Sequence, residues 1–181
     1  HPEHSGTLIT SKADGRTGVV KSIAYKRNVS ILTVAPQKRY GQYIFWEHVF
    51  NVLNKFGLRT SLSSTSEYTV SVVLDVQNVP ADLIGELGGI GRVEVREGKG
   101  VVCMVGENIH GVPDLLKRVF LAAAGFPITL VSFGASNSSV SMVVHDDSVD
   151  EIVRNLHSEF CDRTDDNGLC GVEDHDRLRT P

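Results

Sequence analysis

The chain has 181 residues, 41% hydrophobic and 22% charged, which is the composition of a foldable globular protein and excludes a disordered one. A formal net charge of −4 supplies no attraction to nucleic acid or to an anionic membrane, and no apolar run approaches the ~20 residues needed to span a bilayer. The cysteines Cys103, Cys161 and Cys170 show no CxxC spacing. Cys161 and Cys170 flank a polar stretch and are able to pair, but the reading favoured here is free thiols in a reducing cytoplasm. His1-Pro2-Glu3-His4 does not have the pattern of a signal or transit peptide.

The periodicity states one theme twice. Residues 19–25 read as a strand, and residues 29–34 as a second, β-branched one. Apolar positions 45, 46, 49, 50, 52, 53 and 56 form one broad helical stripe that Gly57 stops. Residues 58–64 and 68–76 predict two strands, the second alternating through Val70, Val72, Leu74 and Val76. A helix starts near Pro80 and ends in Gly88, Gly89 and Gly91, before a strand over 92–96. The theme restarts with a strand at 101–105 and a helix over 113–124, with Leu115, Leu116, Val119 and Phe120 inward. Strands follow over 127–133 and 139–144, then a last helix over 149–160 capped by Asp146 or Asp147.

Each unit follows the β-α-β-β-α-β order of a ferredoxin-like α+β fold, but the second lacks one strand. Moving residues 19–25 into the second sheet completes it and makes the first unit an insertion in the second. The expected division is a linker over 1–17, a strand of the second unit over 18–28, the first unit over 29–97, the second over 98–161, and a flexible tail over 162–181.

Catalytic machinery is thin. Gly88-Gly89-Ile90-Gly91 lacks the lysine of a phosphate loop and precedes a strand, so it reads as a turn. The histidines are dispersed, with no pair at metal-ligand spacing, and no acid–base constellation emerges. No catalytic residue, metal or cofactor is expected of this chain. The informative feature is architectural: the loop and helix start at 39–46 should lie near the strand at 59–66. Uncapped amides at a helix start attract a carboxylate, and a strand of serines and threonines offers hydroxyls to an amine. The alternative, that these residues merely edge a turn and a solvated strand, weighs equally on the residues alone.

Ser64-Thr65-Ser66-Glu67 with the strand to Leu74-Asp75 resembles the TSE-x-S-V-S-x-x-L-D signature of aspartate kinase regulatory regions. Glu47-His48-Val49-Phe50-Asn51-Val52-Leu53 is similar to that family's A-E-V-F-x-I-L helix. Phe133-Gly134-Ala135-Ser136 resembles its Y-G-A-S or Q-G-A-S segment, and Leu156-His157-Ser158-Glu159-Phe160 its closing L-H-S-x-F. The phrase from His1 to Ile9 is similar to the family's linker, N-P-x-x-x-G-T-x-I. The resemblance runs in order from about residue 1 to 161 and leaves the C-terminal segment out.

It implies tandem ACT modules that bind an end-product amino acid, lysine first and threonine second, pair as a homodimer, and control an upstream kinase domain. That domain would use ATP and Mg to phosphorylate the aspartate side chain on the route to lysine, threonine and methionine. Its K-F-G-G-T-S signature is absent here. Carried over position by position, the implied effector site comprises Arg39, Gln42, Ile44, Phe45, Trp46, Ser61, Ser64, Thr65, Ser66 and Glu67. Two positions depart from the lysine-sensitive pattern: Ser61 replaces an aspartate, removing a charge-assisted contact, and Ile44 replaces a glycine that allows close backbone approach. Alternatives are an ACT pair whose site has decayed and serves only dimerisation, an ACT sensor of another enzyme, and a small catalytic ferredoxin-like enzyme.

Overall fold

The structure, a computed structural model, describes residues 20–37 and 41–161 together with the backbone of Gly171–Asp174. Two long strands, β1 (Val20–Pro36) and β4 (Gly91–Gly106), run antiparallel along their whole length, with Val20 opposite Gly106 and Pro36 opposite Gly91. The hairpin of β2 (Thr60–Thr65) and β3 (Val70–Leu74) pairs with the later half of β1. On the other side β5 (Leu130–Ser132) and β6 (Ser139–His145) pair with the later half of β4. The sheet order is β2-β3-β1-β4-β6-β5.

Four helices connect these strands: α1 (Gln42–Lys55), α2 (Ala81–Gly88), α3 (Leu115–Ala122) and α4 (Val149–Phe160). Alternation along each strand puts every second residue on one face. Leu32, Val34, Val70, Val72 and Leu74 pack with Phe45, Val49, Leu83 and Leu87 of α1 and α2. In the other half Ile23, Val102, Met104, Met142 and Val144 pack with Leu115, Val119, Ile152 and Leu156 of α3 and α4. A third cluster, Val29, Ile31, Val73, Val101 and Val143 with Leu62 and Leu130, joins the helix-free faces of the two halves.

The α+β class and the ferredoxin-like order of both units are as expected, and the first unit is inserted in the second. The sheet, however, is one of seven strands. The strands expected over 19–25 and 29–34 form one, β1, from Val20 onward, and residues 92–96 and 101–105 merge into β4. The charged segments between them, residues 26–28 and 97–100, are bulges within continuous strands. Asn28 takes φ 55 and Gly98 φ 64, and the β1–β4 register shifts twice between Lys26 and Ile31. The expected tail is also not wholly tail: Gly171–Asp174 forms β7, parallel to β1 at Ser22–Tyr25. Backbone pairing with the free side of β1 accounts for this without an apolar pattern. Residues 1–19, 162–170 and 175–181 lie outside the described residues.

Smaller corrections have local causes. Neither aspartate caps α4, whose N-cap is Ser148. The Asp146 carboxylate is occupied by the guanidinium of Arg27 and the backbone N–H of Asn28, which pins the kink in β1. Phe120 faces outward at 44% exposure, because α3 is two residues shorter at each end than the pattern predicts and packs through Leu115 and Val119. Cys161 is disulfide-bonded rather than a free thiol, while Cys103 is free.

Lys99 sits at the kink, only 7% exposed, with Nζ 3.2 Å from His145 Nε2. Loss of hydration pushes its pKa below the ordinary lysine value, and the charge of Arg96 adds to this. The cost is fully present where Lys99 is charged in both states. It is released as pH climbs through the lowered pKa towards 10.5, because the unfolded chain then holds the extra proton. Lys99→Met is expected to raise stability at neutral pH by about 1 kcal/mol and to flatten the alkaline rise, as read by urea unfolding from pH 7 to 10.5. Because β1 and β4 run through both halves, the chain is expected to unfold in one transition. Gly91→Ala, whose added Cβ would run into the Ala35 carbonyl across the ladder, should shift that whole transition by about 3 kcal/mol. Coincident tryptophan-fluorescence and circular-dichroism curves would check it.

Candidate functional site

The helix start predicted as a binding element has the required form. Gly41 is the N-cap of α1 in an extended conformation, no side chain caps the first turn, and no acidic residue occupies it. The leading amides therefore retain donor capacity at the positive end of a 14-residue helix. Gln42 and Ile44 are exposed there, Ile44 at 53%. Phe45 is not: at 2% exposure it belongs to the core with Val49 and Leu53, so it fixes the helix start instead of meeting a ligand. Trp46 is half-buried, stands edge-on to the exposed Tyr43 at 5.6 Å, and has a buried Nε1–H with no acceptor among the described residues. Arg39 lies outside the described residues.

The strand side divides into three. Ser61, at a bulge in β2, donates its hydroxyl to Asp75 Oδ1, and Asp75 Oδ2 accepts Lys26 Nζ at 2.7 Å. Thr65 lies opposite Val70, a core residue on the helix-bearing face. Ser64 lies opposite Ser71, on the reverse face. Ser66 is committed to a turn: its hydroxyl accepts the N–H groups of Tyr68 and Thr69, and its own N–H donates to the Thr69 carbonyl at 2.9 Å. Glu67 borders that turn, and its hydrogen bond and charge push the Tyr68 phenol above its ordinary pKa. Ser61, Ser64, Thr65, Ser66 and Glu67 are all exposed, on a strand that pairs only with β3 among the described residues.

Sequence reasoning passed over Lys26 and Asp75. Their pair ties the first half of β1 to the end of β3, with side chains only 24% and 8% exposed. The signal was the acidic residue closing an otherwise alternating strand, but its partner lies 49 residues away and no local pattern marks it. No group of three or more metal-ligating side chains occurs among the described residues.

Comparison with known proteins bears on the family and the fold. Residues 102–160 match the ACT domain family. Aspartokinase 2, chloroplastic, of Arabidopsis thaliana is 31% identical over 173 residues, 88% of this chain and 32% of that protein. This chain is homologous to the aspartokinase regulatory region. It spans about a third of the length of the curated relatives it matches. Among solved structures, aspartokinase III of Escherichia coli with lysine and aspartate superposes with a TM-score of 0.76 at 27% identity, covering 89% of this chain and 37% of that one. The ligand-free regulatory subunit of aspartate kinase from Thermus thermophilus, 17% identical, shares the fold with a TM-score of 0.66, over 78% of this chain and 98% of that subunit.

The ACT match falls on the second half, whereas the candidate residues lie in the first. The sheet order explains the relation: β4, β5 and β6 with α3 and α4 repeat the arrangement of β1, β2 and β3 with α1 and α2. Asp75 joins the repeats. Asp75→Ala leaves a part-buried ammonium and a hydroxyl without their acceptor and is expected to cost about 3 kcal/mol in urea unfolding. Lys26→Met paired with Asp75→Leu should recover most of it.

Proposed function

We propose that this chain is the regulatory, amino-acid-sensing part of an aspartate kinase. In that reading an upstream kinase domain transfers a phosphoryl group from ATP, with Mg, to the side-chain carboxylate of aspartate, and the chain itself performs no chemistry. The observation that carries it is the uncapped start of α1, in a chain similar to aspartokinases along most of its length and with the hydroxyl-rich edge strand β2 in the same unit. The α1 amides would receive an effector carboxylate, with Gln42 and Ile44 beside them and the Trp46 indole held behind. Thr65, on the helix-bearing face, with the turn at Ser66 and Glu67, would meet the effector's amine, whereas Ser64 lies on the reverse face and Ser61 in a groove on the helix-free side. Lysine is the first candidate, since the superposing Escherichia coli enzyme holds it, and threonine the second. Regulation follows from differential affinity: an effector that fits one pairing of two chains better shifts the population towards it. The compartment proposed is the cytoplasm or, as for the chloroplastic relatives, a plastid.

A second reading is that the site has decayed and serves only pairing of two copies. Ser61 favours it, because the carboxylate behind that hydroxyl is already neutralised by Lys26. The exposed apolar side chains Tyr43, Ile44 and Phe50 on α1, beside an open strand edge, suit either reading.

Isothermal titration with lysine and then threonine, with sedimentation velocity in parallel, separates the two. The sensing reading expects saturable heat and a shift towards dimer, both lost in Ile44→Glu, a surface change that should leave the melting temperature within a few degrees. A dimer that forms without heat from either amino acid supports the pairing-only reading.

A further inference from the structure

The helix-free side of the sheet holds a groove unrelated to the α1 start. Where β1 and β4 kink, Arg59, Thr60, Ser61 and Leu62 of the first half face Val101, Cys103 and Val105 of the second across a cavity of about 390 Å³. That volume lies in the range of small-molecule sites. We propose that this groove binds a short aliphatic carboxylate bearing a second polar oxygen.

Charge selects the carboxylate. Asp75 lies in the groove wall, but each of its oxygens already accepts a hydrogen bond, from Ser61 and from Lys26, and the Lys26 ammonium offsets its charge, which weakens its pull on a cation. Arg59 lines the same wall with no ion-pair partner among the described residues, and its guanidinium is a planar donor suited to a carboxylate. Leu62, Val101 and Val105 give the groove an apolar surface long enough for a chain of a few carbons.

The second oxygen is called for by the far wall. Ser141 is only 8% exposed, lines the groove opposite Cys103 in the β4–β6 ladder, and its hydroxyl makes no hydrogen bond among the described residues. Ser22 Oγ, on the same face of β1 two residues before Ala24, is a buried hydroxyl with no partner among the described residues. A buried hydroxyl left without a partner is costly, and a ligand oxygen at this end would relieve it. Ser61, a position the family resemblance assigns to the effector site, lies in this groove, so the two sites are told apart by residues that belong to one alone: Arg59 and Ser141 here, Ile44 at the α1 start.

Cys103, a free thiol in the groove wall, is the reporter. The intact chain, with its disulfide kept, would be alkylated by iodoacetamide and the Cys103 peptide followed by mass spectrometry. The probes are 3-hydroxybutyrate, butyrate and butyramide, with saturation-transfer NMR on the same samples to detect binding should the thiol react too slowly. Protection of Cys103 is expected to be saturable, about tenfold at ten times the dissociation constant for 3-hydroxybutyrate, weaker for butyrate and absent for butyramide. Arg59→Gln should abolish protection while leaving the unprotected rate unchanged, and Ser141→Ala should reduce 3-hydroxybutyrate to the level of butyrate. The proposal is overturned if no probe protects Cys103 or gives an NMR response. It is equally overturned if butyramide matches the acids, or if Arg59→Gln retains protection that Ile44→Glu removes.

Discussion

The pairing of β1 with β4 is the constraint from which the rest of the molecule follows. Each strand contributes one half to each ferredoxin-like unit, so neither unit possesses a complete sheet without the other. A strand of 17 residues is long for a globular protein, and here it is possible because two distortions relieve its twist: Asn28 in β1 and Gly98 in β4 take left-handed conformations at neighbouring points of the ladder. The kink turns the helix-free faces of the two halves towards one another. Their apolar residues then close a small cluster that no helix covers.

Electrostatics reinforce this geometry in place of driving it. Asp146 holds the kink by accepting both the Arg27 side chain and the Asn28 amide, and Asp75 accepts Lys26 from across the junction. Both carboxylates lie where the chain passes from one unit to the other. The Arg27 contacts are partly open to solvent and contribute little each, whereas Lys26–Asp75 is screened enough that removing one partner matters more than the pair's net worth. Lys99, buried beside His145 at the same junction, works against folding, a cost the continuous ladder is able to carry.

Helix periodicity was the most legible layer of the sequence. The stripe at Ile152, Val153, Leu156 and Phe160 gave α4 to the residue, because an amphipathic helix needs only local spacing to declare itself. The strands were legible in content but not in extent. Lys26-Arg27-Asn28 and Glu97-Gly98-Lys99-Gly100 carry the composition of loops, and only pairing across some 70 residues reveals them as bulges in unbroken strands. The candidate site shows the same division. The helix start and the hydroxyl-rich strand were singled out from the architecture, the individual positions by resemblance, and the structure then separates a core residue, Phe45, and a turn-former, Ser66, from the exposed side chains around them. As a groove, the site at Arg59, Cys103 and Ser141 was not legible in the sequence, since its walls come from four strands of two units.

Shared strands also decide how a signal can travel. Two domains on a flexible linker respond to a ligand independently, and coupling then depends on a weak interface. In this chain β3 packs on β1 and β1 continues into the second unit, with Asp75 at the end of β3 holding Lys26 at the junction. A ligand that shifts the register or tilt of β2 and β3 must either strain that ion pair or carry β1 with it. A packed sheet resists graded deformation and favours a small number of discrete arrangements. The architecture therefore suits a change of the whole sheet better than a local change confined to one module, and Asn28 and Gly98 are where the ladder already departs from regular geometry.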